Sequence, residues 1–181
     1  HPTVARHRLD TPGSLGYIAG AMLDYNLVSS LATYRMPRPD DVPLLVEMTG
    51  RFHAETRTGL EVDRVRVMAT LKELNANRRA GSFFVFEMEE DVVGYGILSN
   101  RWSNGLGGQV LHVDELYVRP GRRGRGIASD FLGLIAKVAP TDAAAITITL
   151  PPGMRRAPGF LRRLGYAEAP SRVMTRSLRE S

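Results

Sequence analysis

The stretch Leu116-Tyr117-Val118-Arg119-Pro120-Gly121-Arg122-Arg123-Gly124-Arg125-Gly126-Ile127-Ala128 carries the sharpest chemistry in the chain. It reads as the end of a strand, a Gly/Arg loop and the start of a helix. The free N–H groups of a first helical turn carry partial positive charge and bind phosphate oxygens. Gly124 and Gly126 let the backbone approach a bulky anion without a Cβ in the way. Arg122, Arg123 and Arg125 add positive charge, so the loop reads as a pyrophosphate site. No Gly-Lys-Ser/Thr follows, which excludes a Walker loop, and the glycine spacing does not match a dinucleotide fingerprint. The competing reading is an Arg-rich turn that only starts a helix. Just upstream lie Asp114 and Glu115, an acidic pair in the same strand. In a regular strand these two side chains face opposite sides, and a bulge would exchange the faces they take. His112 could take part in a site there, although a strand histidine is more often a packing residue.

The rest of the composition narrows the class. The chain of 181 residues has room for one domain of ordinary size. Its apolar share of 43% and charged share of 24% argue for a packed core against disorder. Absence of cysteine removes disulfide scaffolds, thiolate metal sites and cysteine nucleophiles, and favours a reducing, cytoplasmic setting. No uncharged apolar run is long enough to span a membrane, so no membrane partner is expected. The net charge of +5 fits an anionic partner or simply an Arg-rich surface. A nucleic-acid module is not expected, because no interleaved aromatic set accompanies the arginines.

These residues need a scaffold. Leu15, Ile18, Ala19 and Met22 follow a helical spacing, so 14–31 reads as a short helix. Its apolar face packs on the body or on a second subunit, which would make a homodimer. Ala32–Met36 is strand-like, and Asp40 can cap a helix starting at Asp41, with Val42, Leu45, Met48 and Phe52 on one face. Asp63 can cap a second helix bearing Val65, Met68, Leu71 and Leu74. Phe83–Met88 and Val92–Leu98 form a hairpin, 100–108 a polar loop, and Val110–Val118 a strand. A helix over 126–138, a strand over 144–150, a short helix over 155–164 and a last strand over 172–178 complete the pattern. The unit around 110–150 should be parallel with a right-handed crossover. The fold class is therefore α/β (α+β), a mixed sheet with helices on both faces.

Arg123 to Ala128 reads Arg-x-x-Gly-x-Ala, which resembles the acyl-CoA-binding signature of the GNAT N-acetyltransferase superfamily. The order of elements resembles that family from about Ala32 to Leu178, and Phe160 to Tyr166 resembles its later helix-to-strand segment. More narrowly, Trp102 to Val118 resembles polyamine and amino-acid acetyltransferases of the spermidine/spermine type. The resemblance implies a GNAT-like sheet of six to seven strands in a domain over 32–181, preceded by an extension over 1–31. It implies acetyl-CoA and no metal. The strand at Leu116, Tyr117 and Val118 should splay from the strand at 144–150. The pantetheine arm should bond backbone at Tyr117 and Val118. The pyrophosphate should rest on the N–H groups of Arg123, Gly124, Arg125, Gly126, Ile127 and Ala128. An acceptor amine would attack directly, with Glu115 as leading base and Asp114 as the other candidate. The loops 53–61 and 100–108 should cover the acceptor, offering His53, Glu55, Glu61 and Trp102.

Two departures stand against that pattern. Leu161 occupies the position where many family members carry a tyrosine as general acid, and Met154 that of a common asparagine. Tyr117 and Tyr166 are the remaining hydroxyl candidates. The resemblance thus implies an acetyltransferase for a small primary amine. The alternatives are a macromolecular amine, on protein or aminoacyl-tRNA, and a catalytically weak acyl-CoA-binding module.

Overall fold

The computed structural model describes residues 26–170 and 173–178. A six-stranded sheet runs in chain order: β1 (Leu27–Val28), β2 (Thr33–Arg35), β3 (Gly81–Met88), β4 (Asp91–Ser103), β5 (Gly108–Val118) and β6 (Ala143–Ile148). Neighbours pair antiparallel except β5 and β6, which are parallel as the strand–helix–strand pattern requires. Helices α1 (Val42–Thr56) and α2 (Arg64–Ala76) cover one face, and α3 (Ile127–Val138) and α4 (Ala157–Arg163) the other. Each face has its own core. Phe84, Phe86 and Tyr34 gather around Phe131 of α3, while Phe52 and Leu45 of α1 meet Val85, Tyr95 and Tyr117. Gly96 is obligatory in β4, because a Cβ there would lie 2.9 Å from the Phe131 ring.

Several expectations are corrected. Leu27–Val28 is a strand, so the end of the helix read over 14–31 is not helical; residues 1–25 lie outside the described residues. Residues 173–178 form no strand, and Val173, Met174 and Leu178 stay exposed without a ladder partner among the described residues. Trp102 belongs to β4 and pairs with Gln109, so the loop expected over 100–108 shrinks to a tight turn before Gly108. In α2 the buried stripe is Val67, Leu71 and Leu74, at i, i+4 and i+7. Val65 and Met68 fall outside that stripe and are exposed. Asp63 does cap α2, accepting the Arg66 N–H at 2.9 Å.

The start of α1 is fixed by Asp41, not Asp40. The buried Asp41 carboxylate takes both arms of the Arg35 guanidinium, at 2.7 and 3.0 Å, and the Arg38 N–H at 2.6 Å. Arg35 also donates from Nε to Glu87 of β3 at 2.6 Å. This bidentate cluster locks α1 to β2 and β3. A second tie holds α3. Ser29 and Tyr34 both donate to Asp130 Oδ2 at 2.5 Å, anchoring the first turn of α3 to the β1–β2 turn.

Burial opposes ionisation of Asp41, but Arg35 and the Arg38 N–H outweigh it and hold its pKa below the ordinary carboxylate value. A depressed folded-state pKa contributes stability that is complete above the unfolded-chain value, about 3.9, and is lost as pH falls through the folded one. Arg35→Met leaves Asp41 buried and unpaired. It should cost roughly 3–5 kcal/mol, read by urea denaturation at neutral pH. The contribution of Asp41 to acid unfolding below about pH 4 should disappear in the variant. An unaltered denaturation midpoint would contradict this account of the cluster.

Candidate active site

An extra residue in β5 sets the site. Gly96 pairs with Leu116 and Ile97 with Glu115, but Leu98 pairs with Val113, so Asp114 is an unpaired bulge residue. Val113 and Leu116 both pack in the α3 core, three positions apart, where a regular strand would alternate. The bulge therefore turns Glu115 toward α1. Its carboxylate accepts the Tyr95 hydroxyl at Oε2 (2.5 Å) and meets His53 Nε2 at Oε1 (3.1 Å). The other His53 nitrogen, Nδ1, lies 2.8 Å from Thr58 Oγ1. Asp114 stays more exposed, 3.5 Å from His112 Nε2. His112 is also held by Thr147 and Thr149, at 2.8 and 3.2 Å, and so staples β5 to the β6 side.

The β5–β6 ladder ends at Val113–Ile148. Beyond it the bulge bends β5, and Pro151 and Pro152 deprive the other chain of donors. Arg119 N–H donates to Val93 O at 2.9 Å, and antiparallel exchange recurs every second residue. Tyr117 therefore spends its backbone on Tyr95. Leu116 and Val118 direct theirs to the edge that β6 has left. They line a cleft of about 210 Å³ with Ile148, Phe160, Leu161 and Ala128. The Val118 carbonyl is taken by Arg123 Nε at 2.7 Å, which leaves the Val118 N–H and both backbone groups of Leu116 facing the cleft. Asp114 and Arg123 also line it.

At the cleft's end the Gly/Arg loop is open. Gly124 and Gly126 have φ of +76° and +84°, the left-handed region that glycine reaches without strain. Among the described residues, the N–H groups of Gly124, Arg125, Gly126, Ile127 and Ala128 reach no backbone carbonyl. The Arg123 N–H is bonded to Pro120 O at 3.3 Å, so the open amides start at Gly124. Five free amides at a helix start fit a pyrophosphate. Arg123 itself turns inward, stacking 5.3 Å from the Tyr117 ring centroid and pairing Glu55 at 2.7 Å.

A second, open cavity of about 540 Å³ is lined by His53, Arg57, Leu60, Glu61 and Val62 among others, from the end of α1 and the loop that follows it. Of the residues expected at the acceptor, His53 and Glu61 are here. Glu55 is engaged by Arg123. Trp102, 61% exposed, sits at the far end of the β4–β5 hairpin and lines neither space. Leu161 is buried in the cleft wall, as an apolar side chain demands. Burial, together with Glu55, raises the Tyr117 pKa, and burial alone raises that of Tyr166. Neither phenol is tuned to donate a proton near neutral pH. Tyr95, which sequence reasoning missed, is pushed higher still by burial and the Glu115 charge, so it remains a donor. Only the hairpin register, which sets Tyr95 opposite Tyr117, could have found it.

The sequence model of the Acetyltransferase (GNAT) family matches residues 47–166. The chain belongs to that family. It is an acetyltransferase by family, and the family's donor is acetyl-CoA. No curated protein matches it in sequence. Solved structures with the same fold include a possible acetyltransferase from Clostridium difficile 630, 20% identical, covering 83% of this chain and 100% of the other, with TM-score 0.69. A ribosomal-protein-alanine N-acetyltransferase from Brucella melitensis biovar Abortus is 16% identical, with coverages of 81% and 99% and TM-score 0.66. A predicted acetyltransferase from Clostridium acetobutylicum, solved with acetyl-CoA, is 15% identical, with coverages of 81% and 96% and TM-score 0.63. No helix among the described residues is long and apolar enough to cross a membrane, and they include no cluster of three His, Asp or Glu able to hold a metal ion.

The Gly126 geometry yields a test. Gly126→Leu places a side chain in the left-handed region at the mouth of the loop, at a backbone cost of about 1–2 kcal/mol. Calorimetric titration with CoA should show affinity at least about tenfold weaker, a loss of about 1.4 kcal/mol, in a protein that still melts cooperatively. Unchanged affinity in the folded variant would remove the phosphate from this loop.

Proposed function

We propose that the protein acetylates a primary amine of a small molecule, a polyamine, amino acid or related amine, by direct attack on acetyl-CoA. The observation that carries this reading is the position of Glu115. It follows the bulge, adjoins the open backbone of Leu116 and Val118, and is bonded to an imidazole that lines the larger cavity. Bound acetyl-CoA supplies an acetyl thioester at the cleft. Leu116 and Val118 would hold the pantetheine arm, and the amides of Gly124 to Ala128 the pyrophosphate. The Val118 N–H would be available to the carbonyl oxygen as charge develops there. The cavity at 53–62 has the size of a small-molecule site.

The acceptor arrives as an ammonium and must lose a proton before it can attack. The carboxylate of Glu115 and the imidazole of His53 form the proton-accepting unit. As the new C–N bond forms, the C–S bond breaks. A second amine proton goes to the departing sulfur, giving an N-acetyl amine, a free thiol and one released proton. Thiols are far more acidic than alcohols, that of cysteine ionising at about 8.5, so a sulfur leaving group departs readily. Leu161 in place of a phenol therefore costs little.

Glu115→Gln keeps size and most hydrogen bonding but removes the charge. It should lower kcat/KM by about 100- to 10,000-fold, leave CoA affinity unaltered by calorimetry, and recover in part at high pH, where more amine is already neutral. Asp114→Asn should matter far less. Full turnover by Glu115→Gln with an inactive Asp114→Asn would transfer the role to Asp114.

A further inference from the structure

Thr58, His53 and Glu115 lie on one hydrogen-bonded line, and its polarity can be assigned from chemistry. An ionised carboxylate only accepts, so His53 Nε2 must carry a hydrogen toward Glu115 Oε1. Neutral imidazole has one N–H, which makes Nδ1 the bare nitrogen and the Thr58 hydroxyl its donor. The Leu60 N–H donates to the same Thr58 oxygen at 3.3 Å, which occupies an acceptor position and leaves the hydroxyl hydrogen for His53. Tyr95 closes the other end by donating to Glu115 Oε2. The imidazole is 7% exposed, so it cannot turn freely, and the ring of Phe52 packs edge-on against it, 5.1 Å between centroids. Thr58 lies between Arg57 and Gly59, both in the wall of the 540 Å³ cavity.

We propose that the acceptor's proton comes to rest on His53 Nδ1, delivered through the Thr58 hydroxyl, with Glu115 acting through the imidazole. This rests on the acetyl-transfer reading above and names the atoms that do its proton work. The ammonium gives one proton to the Thr58 oxygen while Thr58 gives its own to Nδ1. The resulting imidazolium faces the Glu115 carboxylate through Nε2–H, a charge-assisted bond that strengthens as charge appears. The proton returns to water through the cavity once product has left. Thr58 is thus a positioning residue for the tautomer as well as the conduit. Glu115 from β5 is bonded to the imidazole, and Arg57 and Glu61 line the cavity with it. Tyr95 is bonded to Glu115, and Glu55 is paired with Arg123.

The test combines tautomer and rate. Long-range 1H–15N spectra of the ¹⁵N-histidine-labelled full chain, with His53 identified by its loss in His53→Gln, should show the Nε2–H tautomer at neutral pH. Thr58→Val should lower kcat/KM for the amine by at least about tenfold, shift the acidic limb of its pH profile and disturb the His53 signals, while leaving CoA affinity unchanged. Thr58→Ser keeps the hydroxyl and should restore all three. An Nδ1–H tautomer in the native protein, or a Thr58→Val variant with unchanged rate and pH profile, overturns the proposal. If Glu115→Gln is impaired in that case, Glu115 is the base by itself and the acetyl-transfer reading stands. If Glu115→Gln is also unimpaired, that reading falls with it.

Discussion

Backbone pairing between β5 and β6 cannot continue past Val113 and Ile148, and the site depends on that interruption. A parallel ladder that ran on would spend the amide and carbonyl groups of Leu116 and Val118 on β6. The unpaired Asp114 bends β5, and two prolines after Leu150 remove donors from the other side. Exposed strand edges are normally covered or blunted. Here the edge is left open inside a cleft walled by Ile148, Phe160 and Leu161, which is where an extended chain carrying its own amides can add like a strand.

The same bulge joins the two halves of the chemistry. It lets Val113 and Leu116 both face the α3 core while Glu115 swings to the α1 side. The cleft and the loop of open amides are thus assembled from β5, α3 and α4. The groups proposed to handle the proton come from β5, α1 and β4. Each helix is separately pinned. Arg35 and Asp41 hold the start of α1, and Asp130 with Tyr34 and Ser29 holds the start of α3. A shift in either would move His53 away from Glu115 or the open amides away from the cleft, without touching a reacting group.

How much of this could be read from the sequence follows from the range of the interactions. The Gly/Arg loop, the proposed phosphate site, is local. Glycines at two fixed positions before an apolar helix say what the backbone can do, and the structure has those glycines at positive φ. The apolar faces of α1 and α3 and the Asp63 cap of α2 were legible for the same reason, as was the parallel β5–β6 pair. Where two local signals competed, the reading failed. Leu27–Val28 falls inside the span 14–31 that the helical spacing of Leu15 to Met22 predicts, yet pairing with β2 makes it a strand. Val65 and Met68 match a helical stripe that belongs to Val67, Leu71 and Leu74. Trp102 looked like part of a glycine-rich loop because pairing with Gln109 cannot be seen along one segment. The Thr58–His53–Glu115–Tyr95 line joins three segments of chain, 53–58, β4 and β5. Only the tertiary fold brings it together.

In the proposed reaction an amine yields its proton to the Glu115–His53 unit and meets a thioester held at the cleft. The most direct measurement is release of free CoA from acetyl-CoA by the purified protein across a panel of amines, with mass spectrometry of the acceptor. The account predicts amine-dependent release at neutral pH, matched one for one by a product carrying a single added acetyl group on nitrogen. Acetyl-CoA binding without release of CoA for any small amine, polyamine or amino acid in the panel would contradict it.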